Sequence, residues 1–305
     1  MVFGSFLNVC IYRMPREMSV VSPRSACPVC ETPIAAYDNI PVLSWLILGG
    51  KCRKCKAPIS FRYAAVELLT GALFALSYYS APAMAQLIQL QWQLEALPNI
   101  WLIAIKFCVL AFLLIGLIFT DAETKLLPDL LTKPGIILGL IFSLLVPLDG
   151  PAQYFLSSID SWRVISLLNS IAGMVLGAAF IWGVALLYEA IRGVEGMGRG
   201  DVKLMAFIGA FVGVKLTLLV LVLGSVIGSF FGMFLILWVW MKRLMRRRRT
   251  HRAESGAAAR SRAWNSAVLI YRNFEIPFGV FLGTAALFSA FWGAALVNWY
   301  AGFYR

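Results

Sequence analysis

Two aspartates stand where long apolar segments meet short polar loops. Asp121 directly follows one apolar run, and Asp201 directly precedes another. An acidic side chain beside hydrocarbon is costly to keep there and is commonly functional. Two carboxyl groups brought together can hydrolyse a peptide bond, because one takes a proton from the attacking water while the other, protonated, polarises the carbonyl. The sequence therefore offers a candidate catalytic pair, far apart along the chain.

Each aspartate also has a simpler explanation. Asp121 alone fits an ordinary acid at a membrane interface, and Glu123 and Asp129 lie near enough to compete for any role. Asp201 is a residue type preferred at helix N-caps, and an apolar run follows it at once. The hypothesis of a pair therefore depends on whether the fold brings the two side chains together.

Glycines alternate with other residues just before Asp201, in the stretch Gly196-Met-Gly198-Arg-Gly200. Missing side chains let a peptide backbone approach closely, or let the loop donate main-chain hydrogen bonds to an extended substrate. We therefore expect Gly198, Gly200 and Lys203 to contact substrate. A phosphate-binding loop is the competing interpretation, but no Gly-Lys-Ser/Thr follows.

Four of the six cysteines form two CxxC pairs, Cys27 with Cys30 and Cys52 with Cys55. Two such pairs at this spacing are typical of a four-thiolate zinc site, in which each pair gives two sulfurs to one tetrahedral ion. Four cysteines leave no open coordination position, so we expect the zinc to be structural. Two disulfides are the alternative, and a reducing cytoplasm disfavours them.

Composition points to a membrane protein. The chain has 305 residues, of which 60% are hydrophobic, and its mean hydropathy is +0.80. A soluble domain of this size cannot bury so much apolar surface. The net charge of +12 and the run Arg246-Arg247-Arg248-Arg249 suggest RNA as one partner. Contact with anionic membrane lipid is the favoured interpretation, and we expect no nucleic-acid partner.

Eight apolar segments can be drawn, and a helix needs about 20 residues to cross a bilayer. The first and the sixth are too short alone: the first has the character of a truncated span, and the sixth must turn sharply near Gly213. The segments are about 1–12, 63–80, 100–120, 134–148, 165–191, 202–213, 216–241 and 276–300.

Lys and Arg are concentrated in alternate loops, which identifies those loops as cytoplasmic. Asp121 and Asp201 border two of them and therefore share the cytoplasmic side. The basic loops are 13–62, 121–133, 192–203 and 242–273.

The sequence thus predicts an all-α polytopic membrane protein with about eight transmembrane helices and a small cytoplasmic zinc-binding module. We expect three parts: a partial transmembrane segment at 1–12, the four-cysteine module at 13–62, and a transmembrane domain at 63–305. The last part carries both aspartates and a basic cytoplasmic loop at about 242–273.

In these residues the chain resembles the type IV prepilin peptidases, bifunctional leader peptidases and N-methyltransferases of the bacterial inner membrane. The likeness covers nearly the whole chain and includes both CxxC pairs and the surroundings of both aspartates. Its other motifs are Gly4-Ser-Phe-Leu-Asn-Val, Arg13-Met-Pro, Asn39-Ile-Pro-Val-Leu-Ser-Trp, Arg62-Tyr-Ala-Ala-Val-Glu67, Leu-Leu-Pro-Asp129, Gly198-Arg-Gly-Asp201-Val-Lys-Leu and Ile276-Pro-Phe-Gly279.

The resemblance implies that Asp121 and Asp201 are an aspartyl protease pair in a site of the GxGD kind. It implies a prepilin or pseudopilin substrate with a short basic leader, cut after a glycine on the cytoplasmic side. The new N-terminal residue would then be methylated with S-adenosylmethionine, since the cysteine module accompanies the methylating members. Asn8 and Glu67 are motif positions whose polarity inside a membrane needs a reason, and hydrogen bonds between helices are the simple one.

Two other function classes are open to a protein of this kind. An ion- or proton-coupled transporter could use Asp121 and Asp201 as a relay, but it would need acids near the bilayer midplane and repeated broken helices. An intramembrane peptidase of the presenilin type would keep the protease and change its client. That type carries a glycine-glycine-aspartate signature without the cysteine module.

Overall fold

The computed structural model describes residues 1–155, 161–193, 198–250, 260–266, 268 and 277–303, with only the backbone described at 247–250. Within them the chain is helical, apart from loops and two isolated β-bridges in the cysteine module. Glu195 to Met197, Ile276 and the middle of the predicted basic loop lie outside the described residues. The helices are α1 (Val2–Arg13), α2 (Leu43–Ile47), α3 (Phe61–Trp92), α4 (Ile100–Thr124), α5 (Asp129–Leu145), α6 (Ala152–Phe155), α7 (Trp162–Arg192), α8 (Arg199–Thr250) and α9 (Phe278–Gly302).

The prediction of an all-α membrane protein is confirmed, whereas the number of spans is not. Five helices in the described residues are long and apolar enough to cross a membrane: α3, α4, α7, α8 and α9. As expected, α1 is short, and the sixth and seventh predicted spans form one element with a break at Gly213. The predicted loop that starts at 242 differs, because α8 continues as a helix to Thr250.

The ends of α4 follow from local sequence. Asn99 caps its start, since the side-chain oxygen accepts from the N–H groups of Trp101 and Leu102. Its C-terminus is closed by Lys125, which has a left-handed φ of 56° and donates its N–H to Asp121 O. These two caps place Asp121 in the last turn of the helix.

Glycines line the contacts of the first arm of α8, residues 199–212. A Cβ on Gly209 would meet Gly173 O of α7 at 2.2 Å, and a Cβ on Gly135 of α5 would meet the Phe207 ring at 2.6 Å. Small residues four apart let helices approach closely enough for their backbones to touch in a membrane. The pairs with this spacing are Gly135 with Gly139, Gly173 with Gly177, and Gly209 with Gly213.

The break at Gly213 reverses α8. Gly213 has φ 74° and ψ 179°, a left-handed conformation that favours glycine, and it lies against Leu148 and Asp149 at the far end of α5. Lys215 then pairs with Asp149 at 3.0 Å. The second arm, residues 214–250, runs back along α9. It continues for about 33 Å beyond Gly228, which packs near the start of α9.

Helix α4 is shared by two packed groups. Leu7, Val66 and Ile115 form a cluster that joins α1 and α3 to one face of α4. Leu114, Leu117 and Ile118 of α4 belong to the larger core that contains the first arm of α8 and α9. Asp121 lies on the side of α8 and α9, so α4 separates that site from the α1–α3 group.

Candidate active site

Asp121 is buried at the end of α4, with 4% of its surface exposed. Its Oδ2 accepts a hydrogen bond from Val280 N–H at 3.0 Å. Val280 lies in the first turn of α9, where backbone N–H groups have no partner within the helix and the dipole favours negative charge. The start of α9 thus offsets the cost of an acid at the negative C-terminal end of α4.

Asp201 lies in the first turn of α8 and is half-buried. A Cβ on Gly279 would lie 2.8 Å from Asp121 Oδ2 and 3.3 Å from Leu204 Cδ2, so Asp121 and the first arm of α8 meet at the start of α9. The negative charge of Asp121 acts on the Asp201 carboxyl group there. Two carboxylates close to each other repel when both are ionised. The fold therefore brings together the two acids that the sequence singled out.

Val280 and Gly279 were missed as contacts of Asp121. A Cβ on Gly279 would lie 2.8 Å from Asp121 Oδ2, so this position admits only glycine without a shift. The sequence does carry a signal here, since Pro277 followed by an apolar run predicts a helix start with free N–H groups. The sequence does not indicate which acid accepts hydrogen bonds from these N–H groups.

The glycines before Asp201 differ in their surroundings. Gly200 packs on Leu127, whose Cβ would lie 3.2 Å from an added Cβ. Gly198 is exposed, and a Cβ there would meet only Gly200 N, at 3.9 Å. Gly198 O also accepts from Asp201 N–H at 3.1 Å. The loop is thus held on one side by the residues after α4 and is open on the other.

Lys203 lies half a turn beyond Asp201 and pairs with Asp129 at 2.6 Å, which links α8 to the start of α5. Lys133 contacts the other oxygen of Asp129 at 2.7 Å. Together Lys133 and Lys203 hold the pKa of Asp129 below its usual value. Asp129 is therefore occupied by two cations, and the ammonium group of Lys203 is directed to it.

Glu123, the other rival acid, forms an ion pair with Arg62 at the start of α3. The pair ties α3 to the end of α4 near Asp121. Glu123 is exposed, in contrast to Asp121. Its position is therefore that of a surface contact between helices.

The four predicted ligand cysteines converge. Their sulfurs all lie within 4.8 Å of one another, with Cys27 and Cys55 3.7 Å apart and Cys30 and Cys52 4.0 Å apart. A tetrahedral ion with Zn–S bonds of about 2.3 Å places sulfurs about 3.8 Å apart. The arrangement fits a zinc ion and is the only cluster of this kind among the described residues.

The two CxxC segments, residues 27–30 and 52–55, form knuckles with the same backbone conformation. In each, the first cysteine donates its N–H to a carbonyl five residues on, Thr32 O at 3.0 Å and Ala57 O at 2.9 Å. The residues after the second cysteines, Glu31 and Lys56, both have a left-handed φ. Hydrogen bonding by Thr32 lowers the pKa of Cys30 to about 6. Burial and the neighbouring cysteine sulfurs instead raise the pKa of Cys55 to about 11, so Cys30 gives up its proton more readily than Cys55.

Comparison with known proteins agrees with the likeness seen in the sequence. Residues 1–81 match the family described as Bacterial Peptidase A24 N-terminal domain, and residues 108–233 match the Type IV leader peptidase family. A prepilin leader peptidase/N-methyltransferase of Aeromonas hydrophila is 33% identical over 325 residues, which cover 98% of this chain and 90% of that protein.

Two further relatives carry the same name. The protein of Neisseria gonorrhoeae is 36% identical over 234 residues, covering 69% of this chain and 70% of its own length. That of Klebsiella pneumoniae is 37% identical over 217 residues, covering 69% and 80%. No solved structure matches the chain. The prediction of the family is confirmed: the chain belongs to the type IV leader peptidase family.

Proposed function

We propose that this protein cleaves the basic leader from type IV prepilins or type II secretion pseudopilins and N-methylates the newly exposed N-terminal residue. Relatives that span most of this chain are named for both reactions. The observation that carries the peptidase half is the convergence of Asp121 and Asp201 beside the start of α9. A membrane aspartic endopeptidase needs such a pair and no metal at the reacting carbonyl.

Asp121 and Asp201 are the catalytic residues in this proposal. The ionised member takes a proton from water as the water oxygen attacks the scissile carbonyl carbon. The protonated member donates a hydrogen bond to the carbonyl oxygen, on which negative charge develops. Proton transfer to the leaving nitrogen then releases the leader. Val280 N–H holds Asp121 in place throughout, so little reorganisation is needed.

The loop at Gly198 and Gly200 is proposed to receive the substrate backbone. Gly198 is open to an extended chain, whereas Gly200 fixes the loop against Leu127. Lys203 contributes to binding through its ion pair with Asp129, which holds the first turn of α8, and with it Asp201, in register.

The module at 13–62 is proposed to hold one structural zinc ion on Cys27, Cys30, Cys52 and Cys55, which would supply folding energy to a segment with little core. S-adenosylmethionine is the proposed methyl donor, since a methyl group must come from a group carrier of this kind. We propose residues 1–12 and 63–305 as the membrane-embedded parts, with a basic cytoplasmic segment at about 242–273.

The proposed location is the bacterial inner membrane, with the aspartates and the cysteine module on the cytoplasmic side. The concentration of Lys and Arg in the loops at that end supports this orientation. Membrane lipids and the precursor proteins are the proposed partners. A transporter relay is not supported, because both acids lie in terminal turns of helices at one end of the bundle.

The test is mass spectrometry of a prepilin incubated with the purified protein and S-adenosylmethionine. One spectrum reads the cleavage position and the added methyl group. We expect a cut after a glycine and a gain of one methyl group on the new N-terminal residue. An unprocessed prepilin with folded enzyme, or ion uptake into proteoliposomes without cleavage, would contradict the proposal.

A further inference from the structure

The side-chain amide of Asn8 in α1 is hydrogen-bonded at its nitrogen and not at its oxygen. Its Nδ2 donates to Tyr63 O at 2.9 Å, and this contact fixes the amide orientation because a carbonyl can only accept. The opposite atom, Oδ1, is buried without a donor among the described residues, and the side chain is 4% exposed. A buried acceptor without a partner is destabilising, so it calls for an explanation.

Glu67 of α3 is a second buried acceptor. It is 8% exposed, and its Oε2 accepts from Val42 N–H at 2.8 Å. No cation pairs with it in the part of the chain that the structure describes. An ionised carboxylate offers about four lone-pair sites, so one N–H leaves most of them unused. A charge in this position is costly unless something compensates it.

The contact of α1 with α3 places Asn8 and Glu67 about one helical turn apart. Gly4 lies so close that an added Cβ would be 2.7 Å from Glu67 Cα. Asn8, one turn after Gly4, reaches Tyr63, one turn before Glu67, so the helices are antiparallel and the two side chains lie within a turn of each other. The Cα–Cβ bond of Glu67 tilts toward the start of α3, and therefore toward Asn8.

This spot is rich in acceptors and poor in donors. A carbonyl, phosphate or carboxylate ligand would add more acceptors, and water would bring donors without charge. A primary amine in its ammonium form brings three N–H donors and a positive charge. We propose that Asn8 Oδ1 and the Glu67 carboxylate bind a primary ammonium group, and that the group is the free N-terminal amine which leader removal creates.

The placement suits this role, which rests on the proposed function. The Arg62–Glu123 ion pair aligns the start of α3 with the end of α4, so Glu67 lies at the same end of the bundle as Asp121. Helix α4 separates the two sites, with Ile115 on the α1–α3 side. Val42, which contacts Glu67, belongs to the segment that carries the cysteine module. A new N-terminus would thus pass around the end of α4 toward the module.

The test is the binding of a fluorescent apolar peptide with N-terminal phenylalanine to the purified full-length protein, compared with its N-acetyl counterpart. The wild type should prefer the free amine. Glu67→Gln keeps an oxygen for Val42 N–H but removes the charge, and it should weaken free-amine binding by about tenfold or more while N-acetyl binding is unchanged. Glu95→Gln, at an exposed acid, is the matched control.

A rescue variant separates charge from folding. Asn8→Asp in the Glu67→Gln background returns one carboxylate to the spot, and it should restore at least part of the preference for the free amine. Equal binding of both peptides by the wild type, or an unchanged preference in Glu67→Gln, would overturn the proposal and leave the spot to water. Leader removal by the wild type is measured separately, so a failure of the peptidase assignment is distinguishable from a failure of the amine site.

Discussion

A Cβ atom at Gly279 would lie 2.8 Å from Oδ2 of Asp121 and 3.1 Å from its Cγ. The same oxygen accepts from the N–H of the next residue, Val280, at 3.0 Å. The start of α9 can therefore donate to Asp121 only because Gly279 has no side chain. The position of one member of the acid pair is set by backbone from a distant part of the chain.

Gly279→Ala is expected to lower the turnover number of leader removal by roughly 10²-fold, because the methyl group displaces the Asp121 carboxyl by a few tenths of an ångström or more. The Michaelis constant should change little, since the contact lies at the carboxyl group and not at the substrate loop. Steady-state cleavage of a purified prepilin measures both constants.

Two glycines of the same helix supply controls. A Cβ at Gly283, one turn further along, would meet Ile118 Cγ1 at 2.5 Å, so Gly283→Ala crowds the helix contact without touching a carboxyl group. A Cβ at Gly302 would meet no atom within 4 Å, so Gly302→Ala is the control that should leave turnover unchanged. A loss of turnover in Gly283→Ala equal to that in Gly279→Ala would mean that α9 packing, and not the Asp121 contact, explains the effect.

Asp121→Asn and Asp201→Asn should each reduce leader removal by at least about 10³-fold, because an amide can neither take a proton from the attacking water nor give one to the leaving nitrogen. Volume and hydrogen-bonding shape are nearly conserved, so each variant should insert and purify like the wild type. The rate is measured under single-turnover conditions, with Glu95→Gln as a control for the loss of an acid elsewhere. Full processing by either variant would remove that residue from the mechanism.

The sequence predicted what depends on local pattern and missed what depends on tertiary contact. Apolar runs located the helices, and the glycine at 213 marked the reversal because its backbone needs a left-handed φ. The four cysteines were found since their spacing is itself the geometry of the knuckles. The catalytic role of the aspartates and the substrate contacts of the glycine loop stay predictions.

The contacts of Asp121 and Lys203 had no such local signal. Asp121 contacts the start of α9 because α8 reverses at Gly213 and α9 packs against the same core as Asp121. The contact of Lys203 with substrate stays a prediction, and the pairing of its ammonium group with Asp129, between α8 and α5, was not predicted. A contact between two helices depends on how far each helix is shifted along its axis and how it is rotated against its neighbour. The apolar periodicity of a single sequence does not give these two quantities.

Asp129→Asn should lower leader removal by no more than a few-fold, since the ion pair with Lys203 that holds the first turn of α8 is partly exposed and therefore weak. It should lower thermal stability at neutral pH. Lys133 and Lys203 hold the pKa of Asp129 below its unfolded value of about 3.9. The stabilising contribution is therefore present above about pH 4 and is lost as the pH falls through the lower folded pKa.

Thermal unfolding of the wild type and of Asp129→Asn in detergent, between pH 3 and pH 7 (roughly the range bracketing that carboxyl pKa), checks this sign. The difference between the two melting temperatures should narrow toward the acidic end. A difference that widens on acidification would contradict the ion-pair assignment. The charge-swapped variant Asp129→Lys with Lys203→Asp should be more stable than Asp129→Lys alone if the two side chains act on each other.

The cysteine cluster should hold about one zinc ion per chain, because four sulfurs already lie at tetrahedral spacing. Cys30→Ala combined with Cys52→Ala should reduce zinc, measured by elemental analysis of the purified protein, to the background level. The same pair of changes should make residues 13–62 more sensitive to protease, since metal binding supplies much of the folding energy of such modules. Cys108→Ala, at a cysteine outside the cluster, is the matched control. Full zinc content in the double variant, or intact disulfides among the four cysteines by mass analysis of the wild type, would contradict the assignment.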